Sequence, residues 1–112
     1  MKFAKEYAQV KSFDNGVTVR EYCQGVKDLP LDGAIAYFDN GVFGPKKNRV
    51  FAELFYVLKG TLMIDMDAQT YELAKGDMFI IPPGKAHTIY GIKAKVFIAC
   101  SPAFDPKNVE FL

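Results

Sequence analysis

Residues 76–91, GDMFIIPPGKAHTIYG, are the stretch that decides the fold. They contain a short apolar run at 78–81, two prolines, a glycine and His87, the only histidine of the chain. Proline cannot donate a hydrogen bond to a sheet ladder, so Pro82 and Pro83 indicate a strand end. Gly84 then allows the chain to reverse, because glycine adopts positive φ without steric cost. The stretch predicts one strand over 78–81 and another beginning at His87.

The rest of the chain repeats this pattern of short apolar runs between turn residues. The turn sequence DNG occurs at 14–16 and at 39–41, and Lys59-Gly60 closes another apolar run. Seven or eight strands spaced near ten residues apart predict an all-β sandwich or small barrel. Only the first dozen residues leave room for a helical turn. The predicted strands lie over 17–23, 34–38, 53–58, 62–67, 70–73, 78–81, 87–90 and 96–100.

Composition narrows the classes of function. The 112 residues are enough for one domain, half of them are hydrophobic, and the formal charge is +1. This charge predicts no nucleic-acid partner, and the densest basic run, PKKNR at 45–49, is interpreted as a solvated loop. No segment is long and apolar enough for a membrane span or a secretory leader, so we expect a cytoplasmic protein. Cys23 and Cys100 are expected to be buried free thiols.

Two spacings resemble the signature motifs of a known family. Glu53 is followed after six residues by Gly60, and Gly76 is followed after five by Pro82, then by Gly84 and His87. Together they resemble the two motifs of the cupin superfamily of jelly-roll, or double-stranded β-helix, barrels. The resemblance implies a single cupin domain over 1–112, with the barrel at about 34–100, N-terminal strands at 16–24 and a C-terminal tail at 102–112. One departure is that the final Asn of the second motif is Gly91 here.

A second departure concerns the metal. In metal-binding cupins two histidines precede the motif glutamate, and with a four-residue gap before Glu53 their positions hold Lys46 and Asn48. A three-residue gap gives Lys47 and Arg49 instead. Several imidazole, carboxylate or thiolate groups must converge to hold a transition metal, so the resemblance implies the barrel and its pocket but not the metal. We hypothesise that the ammonium of Lys46 faces the carboxylate of Glu53 where the metal would lie.

These observations predict a small cupin that binds a small polar or anionic molecule in its barrel, and no cofactor. The alternative of a weakly held divalent ion (iron, manganese, nickel or zinc) on Glu53 and His87 stays open. So do a metal-dependent dioxygenase, isomerase or lyase, and a metal-free isomerase or epimerase with His87 as base and Glu53 or a tyrosine as acid. Apolar outward strand faces predict a homodimer. The predicted ligand-binding residues are Tyr37, Lys46, Asn48, Glu53, Phe55, His87 and Tyr90.

Each of these residues also has a purely structural interpretation. His87 would then be a hydrogen-bonded histidine at the barrel rim, and Glu53 an exposed strand carboxylate. Lys46 and Asn48 would belong to a mobile basic loop. Alternation along the strand at 53–58 favours the pocket for Glu53, because it places Glu53 on the same face as Phe55.

Overall fold

The computed structural model describes residues 1–23 and 25–112 and has nine antiparallel strands joined in one sheet. Gln24, at the end of the predicted N-terminal strands, lies outside the described residues. Two short 3₁₀ turns cover Lys5–Tyr7 and Pro106–Asn108. The strands are β1 (Gln9–Ser12), β2 (Val17–Glu21), β3 (Asp32–Phe38), β4 (Gly41–Asn48), β5 (Ala52–Met66), β6 (Gln69–Leu73), β7 (Met78–Ile81), β8 (His87–Ser101) and β9 (Val109–Phe111).

The two longest strands, β5 and β8, form the spine of the sheet. They pair with each other over most of their 15 residues, and β8 also pairs with β3 and β4. The sheet runs β1-β2-β3-β8-β4-β9, while β6 and β7 pair with opposite halves of β5. Alternate side chains of this curled sheet point to one apolar core, which includes Phe55, Val57, Leu62, Ile64, Ile89 and Val96. The predicted all-β fold is confirmed.

Each spine strand replaces two predicted strands. Lys59-Gly60 was predicted to end a strand, but the strand continues through Gly60. The chain bends there with φ at +78° and shifts the register of pairing with β8. The partner strand bends at the same level, where Lys93 has φ at +45°. A Cβ atom on Gly60 would lie 2.2 Å from the carbonyl oxygen of Lys93, so only glycine fits this paired kink. Gly76 and Gly84, in contrast, lie at real turns with positive φ.

Residues 45–49 were interpreted as a solvated loop, and this interpretation is wrong for residues 45–48, which belong to β4. The sequence of the strand, GVFGPKKN, contains two glycines, a proline and two lysines, which are all uncommon in strands. Pairing with β8 on one side and β9 on the other holds it in the sheet. The residues Gly44 and Pro45 form a bulge between two regular segments, after which Lys46 pairs with His87.

The strands β1 and β9 were also missing from the prediction. Both are short edge strands with mostly exposed or half-buried residues. Their sequences therefore show no alternation of buried and exposed residues. Only their pairing with β2 and β4 identifies them as strands.

Gly91 explains the departure from the second cupin motif. It is buried in β8, and a Cβ atom there would lie 2.2 Å from the Cβ of Phe38 on the neighbouring strand β3. The ring of Phe38 therefore occupies the space that an asparagine side chain would need.

We expect Gly91→Ala to lower the free energy of unfolding by about 3 kcal/mol, because overpacking a closed core forces side chains and backbone apart. Gly33→Ala is the matched control, since Gly33 also lies in a strand and its nearest neighbour is the movable ring of Phe97 at 3.2 Å. Urea denaturation measures both variants. Equal, small losses of stability in the two would contradict the steric explanation.

Candidate functional site

Four polar side chains are buried on the inner face of the sheet. Lys46 and Asn48 come from β4, Glu53 from β5 and His87 from β8, with exposed fractions of 4%, 0%, 6% and 2%. Lys46 and His87 are direct partners in the ladder between β4 and β8, and in-register residues project from the same face of a sheet. We call these four residues the polar cluster. The tertiary structure thus gathers onto one face residues that lie up to 41 positions apart in the sequence, from 46 to 87.

Their contacts converge on one atom, Oε1 of Glu53. The amide nitrogen Nδ2 of Asn48 donates a hydrogen bond of 2.9 Å to it. Nζ of Lys46 lies 3.6 Å away and Nε2 of His87 lies 3.9 Å away. The carboxylate therefore has one hydrogen bond and one cationic neighbour, as a buried charge requires.

The hydrogen bond made by Nδ1 of His87 shows which ring nitrogen carries the proton. Nδ1 lies 2.8 Å from the carbonyl oxygen of Lys85, which can only accept, so Nδ1 carries a proton and donates it. Burial lowers the pKa of His87, and the ammonium of Lys46 lowers it further; the Lys85 carbonyl and Glu53 act in the opposite direction. At neutral pH the ring is uncharged, and Nε2 presents a lone pair to the polar cluster.

Two acceptors of the polar cluster lack a hydrogen-bond partner within the described part of the chain. They are Nε2 of His87 and Oδ1 of Asn48. Leaving a buried acceptor unpaired costs about 1–3 kcal/mol, so two in one cluster mark it as a place where another molecule can gain hydrogen bonds.

The aromatic residues predicted to line the site divide between the two faces. Phe55 is fully buried on the same face of β5 as Glu53 and packs in the core. Tyr37 is 38% exposed and lies under the ammonium of Lys95, on the outer face. Tyr90 alternates with the buried Ile89 and Gly91 and therefore also projects outward. The structure does not bring either tyrosine to the polar cluster.

Other aromatic rings lie beside the polar cluster instead. The ring of Phe43 has its centroid 5.1 Å from Nζ of Lys46. Phe111 and Phe13 pack on Phe43 in turn. Phe111 was missed because the tail after 102 shows no alternation, so only its pairing with β4 places it here.

Comparison with known families agrees with this arrangement. The cupin domain family matches residues 37–97, which include the polar cluster and most of the spine. The chain belongs to the cupin family. One relative of this cupin is the uncharacterized protein MJ1618 of Methanocaldococcus jannaschii, 26% identical over 123 residues that cover 100% of the chain and 97% of the relative.

Solved structures of other proteins share the fold of this chain at low identity. A variant of Streptomyces Pac13 with uridine superposes with a TM-score of 0.86 at 15% identity, covering 100% of this chain and 89% of that one. Pac13 is described as a nucleoside dehydratase. KdgF from Halomonas sp. superposes with a TM-score of 0.77 at 18% identity, covering 94% of this chain and 96% of that one. These likenesses show the fold.

The donor set of this cupin does not fit a tightly held transition metal. Glu53 and His87 supply one carboxylate and one imidazole, Asn48 supplies an amide oxygen, and Lys46 places a cation beside them. The described residues contain no group of three or more His, Cys, Asp or Glu side chains able to hold a metal ion. A divalent cation would also meet the ammonium of Lys46 within the same buried space, which is electrostatically unfavourable.

Other features of the molecule lie apart from the polar cluster. An open groove of about 730 Å³ is lined by the N-terminal segment and Arg20, and an apolar groove of about 340 Å³ is lined by residues that include Tyr22 and Phe97.

Both cysteines are free, and burial raises the pKa of the Cys100 thiol, with further contributions from Glu53 and Asp32. Across residues 1–23 and 25–112 no helix has the length and apolar character to cross a membrane.

We expect the fold to lose stability as the pH falls below about 6.5, the ordinary pKa of histidine. The unfolded chain binds a proton at His87 near this pH, whereas the folded chain binds it only at lower pH. The unfolded state thus holds more protons in this window, and the free energy of unfolding falls by up to about 1.4 kcal/mol per pH unit. Above the window the contribution is complete and constant.

Urea denaturation between pH 7.5 and 5 measures this slope, with His87→Gln as the control that lacks the titrating group. An NMR titration of the single imidazole measures the pKa of His87 in the folded state independently. A folded-state midpoint at or above 6.5 would contradict the prediction.

We expect Lys46→Met to lower the free energy of unfolding by about 3–5 kcal/mol, because it leaves the buried carboxylate of Glu53 without a cation. Adding Glu53→Gln should restore most of the loss, since the amide carbonyl still accepts from Asn48 and no charge remains. Lys47→Met is the matched control: its partner Glu110 lies 3.4 Å away at the surface, where ion pairs contribute little. Equal losses for Lys46→Met and Lys47→Met, by urea denaturation, would refute charge compensation by Lys46.

Proposed function

We propose that this cupin binds a small polar or anionic molecule at the polar cluster and does so without a tightly held metal ion. The observation that carries the proposal is the pair of unpartnered acceptors, Oδ1 of Asn48 and Nε2 of His87, at the same buried site. The large majority of buried side-chain polar atoms in native proteins have a hydrogen-bond partner. A bound molecule that donates to both atoms satisfies them together.

The charge balance supports binding without a metal. The ammonium of Lys46 and the carboxylate of Glu53 neutralise one another at 3.6 Å. In a metal-binding site the cation that balances the glutamate is the metal itself, so here a side chain takes over that role. The fold also supports the proposal, since Streptomyces Pac13, of the same fold, is solved with the small polar molecule uridine.

A metal-free isomerase or epimerase is the second candidate, and the state of His87 favours it. A neutral imidazole with Nδ1 protonated and Nε2 free is ready to take a proton from a bound molecule. The ammonium of Lys46 would stabilise negative charge that develops on the substrate as the proton leaves. Of the acids predicted from the sequence, Glu53 lies 3.9 Å from Nε2, while Tyr90 lies on the outer face.

The test of metal-free binding is elemental analysis of protein purified without a histidine tag and then incubated with iron, manganese, nickel or zinc. We expect less than about one metal ion per ten chains, because the ligands present are too few. The matched variant Lys46→His/Asn48→His supplies the two missing imidazoles and should bind about one divalent ion per chain. One ion per natural chain, lost in His87→Ala, would overturn the proposal in favour of a metal-dependent cupin.

We also propose that two copies associate through the outer face of the sheet. Ile35, Phe97, Tyr56 and Met78 are consecutive ladder partners across β3, β8, β5 and β7, so their side chains form one apolar row. Met78 is 57% exposed, and Tyr56 and Phe97 are 39% and 38% exposed. Apolar surface of this kind favours a homodimer with a self-complementary interface.

Sedimentation at micromolar concentration tests the dimer. We expect twice the mass of the chain for the natural protein and one chain mass for Tyr56→Glu, which places a charge in the row. Val50→Glu is the control, because Val50 is 51% exposed but lies outside the row. A natural protein that sediments as one chain would disprove this interface.

The cytoplasm is the compartment we propose for the protein. Cys23 and Cys100 are both free thiols, and reducing compartments keep cysteines in this state. Measured retention of both thiols in protein isolated from whole cells would support this location, and oxidised forms would count against it.

A further inference from the structure

The hydrogen-bonding capacity of the polar cluster restricts what can bind there. Three groups accept: the carboxylate of Glu53, Oδ1 of Asn48 and Nε2 of His87. One group, the ammonium of Lys46, donates and has its nearest carboxylate oxygen at 3.6 Å, beyond hydrogen-bond length. A ligand must therefore donate to at least two acceptors while accepting from one ammonium.

Hydroxyl groups meet this requirement better than an anion does. A hydroxyl donates one hydrogen bond and accepts others, so it can bridge Lys46 and either unpartnered acceptor. A carboxylate or phosphate only accepts, which would leave Asn48 and His87 unpaired and bring a second negative charge close to Glu53. Within the broader proposal of a polar or anionic ligand, the cluster selects an uncharged, hydroxylated one.

Beside the cluster stands a wall of three aromatic rings, formed by Phe13, Phe43 and Phe111. The ring of Phe43 packs edge-on against Phe13, with centroids 5.6 Å apart, and lies 6.0 Å from that of Phe111. It is also the ring whose centroid lies 5.1 Å from the ammonium of Lys46. The aromatic wall is therefore in contact with the polar cluster.

The register of the sheet places the outermost ring on the side of the site. Phe111 in β9 is the ladder partner of Lys46 in β4, so both side chains project from the same face. The side chains of Glu110 and Lys47 project from the other face, where their charges pair. Phe111 is 65% exposed, an unusual position for a large apolar ring within a strand. Its ring has an open surface at the rim of the site.

We propose that the ligand is an uncharged molecule in which a planar ring carries a hydroxylated group. The ring stacks on the aromatic wall at Phe111, and the hydroxyls reach Lys46, Asn48 and His87. This inference rests on the proposed binding function and narrows it to one class of ligand. Stacking on aromatic side chains is tolerant of the ring's identity, because every planar ring offers a π face.

Entry to the site requires a movement of its rim, because the four polar side chains are almost fully buried. One edge of this rim is β9, a three-residue strand at the end of the sheet order. Its pairs with β4 are three in number, and edge elements with few contacts open locally at low cost in free energy. Outward displacement of β9 would carry Phe111 with it and remove the ladder partner of Lys46.

The experiment uses the single histidine as a reporter of the full-length chain. The imidazole nitrogen signals of His87 are recorded by NMR while matched probes are added: uridine with uracil and ribose, and phenyl glucoside with glucose. Uridine 5′-monophosphate tests the effect of charge. Phe111→Ala removes the outer ring of the wall, and Phe111→Tyr keeps it as the control.

We expect a compound that has both ring and hydroxyls to shift Nε2 of His87 and to bind at least about tenfold more tightly than its ringless partner. Phe111→Ala should abolish this preference and Phe111→Tyr should retain it. If ribose or glucose binds as tightly as the neutral ring compounds and shifts His87, the ring inference fails while the binding function stands. If the monophosphate binds as tightly as uridine, the restriction to uncharged ligands fails while the binding function stands. If no probe shifts His87, the result counts against both.

Discussion

The structure depends on a carboxylate that is buried inside a β-barrel and must be stabilised there. Glu53 is 6% exposed on the inner face of β5, and an uncompensated charge in that position would cost several kcal/mol. A metal ion supplies the balance in metal-binding cupins. Here the balance comes from the chain, through the ammonium of Lys46 at 3.6 Å and the amide of Asn48 at 2.9 Å.

A side-chain ammonium in place of a metal ion changes the chemistry that is available inside the barrel. A metal ion presents open coordination positions, whereas an ammonium presents only hydrogen-bond donors. The lone pair of His87, which would otherwise bind the metal, is left free as an acceptor or a base. The donor set of this barrel therefore suits hydrogen bonding to a ligand, the function that we propose, better than Lewis-acid chemistry.

Two features of the backbone bring the polar cluster together. The paired kink at Gly60 and Lys93 lets β5 and β8 bend as one, so that the two halves of the sheet curl around a single core. The bulge at Gly44 and Pro45 returns β4 to register with His87 opposite Lys46. Because β9 continues the sheet beyond β4, the C-terminal segment adds an aromatic ring beside the cluster. Residues 45–48, which were predicted as a loop, and Phe111, which belongs to the predicted tail, therefore both border the polar cluster in the structure.

The amino-acid sequence alone predicted the β-rich fold and the cupin motifs with Glu53 and His87, but it left open whether Lys46 and Asn48 or Lys47 and Arg49 take the remaining positions of a metal site. These are local signals, since glycine, proline and alternating apolar residues constrain the backbone wherever they occur. It could not show that Tyr37 and Tyr90 point outward, that residues 45–48 belong to a strand, or that Phe111 lies beside Lys46. Those facts depend on which strand pairs with which, and a ladder partner 65 residues away, as Phe111 is from Lys46, leaves no local trace. Only the tertiary structure, where pairing energy outweighs the weak propensity of GVFGPKKN for strands, decided them.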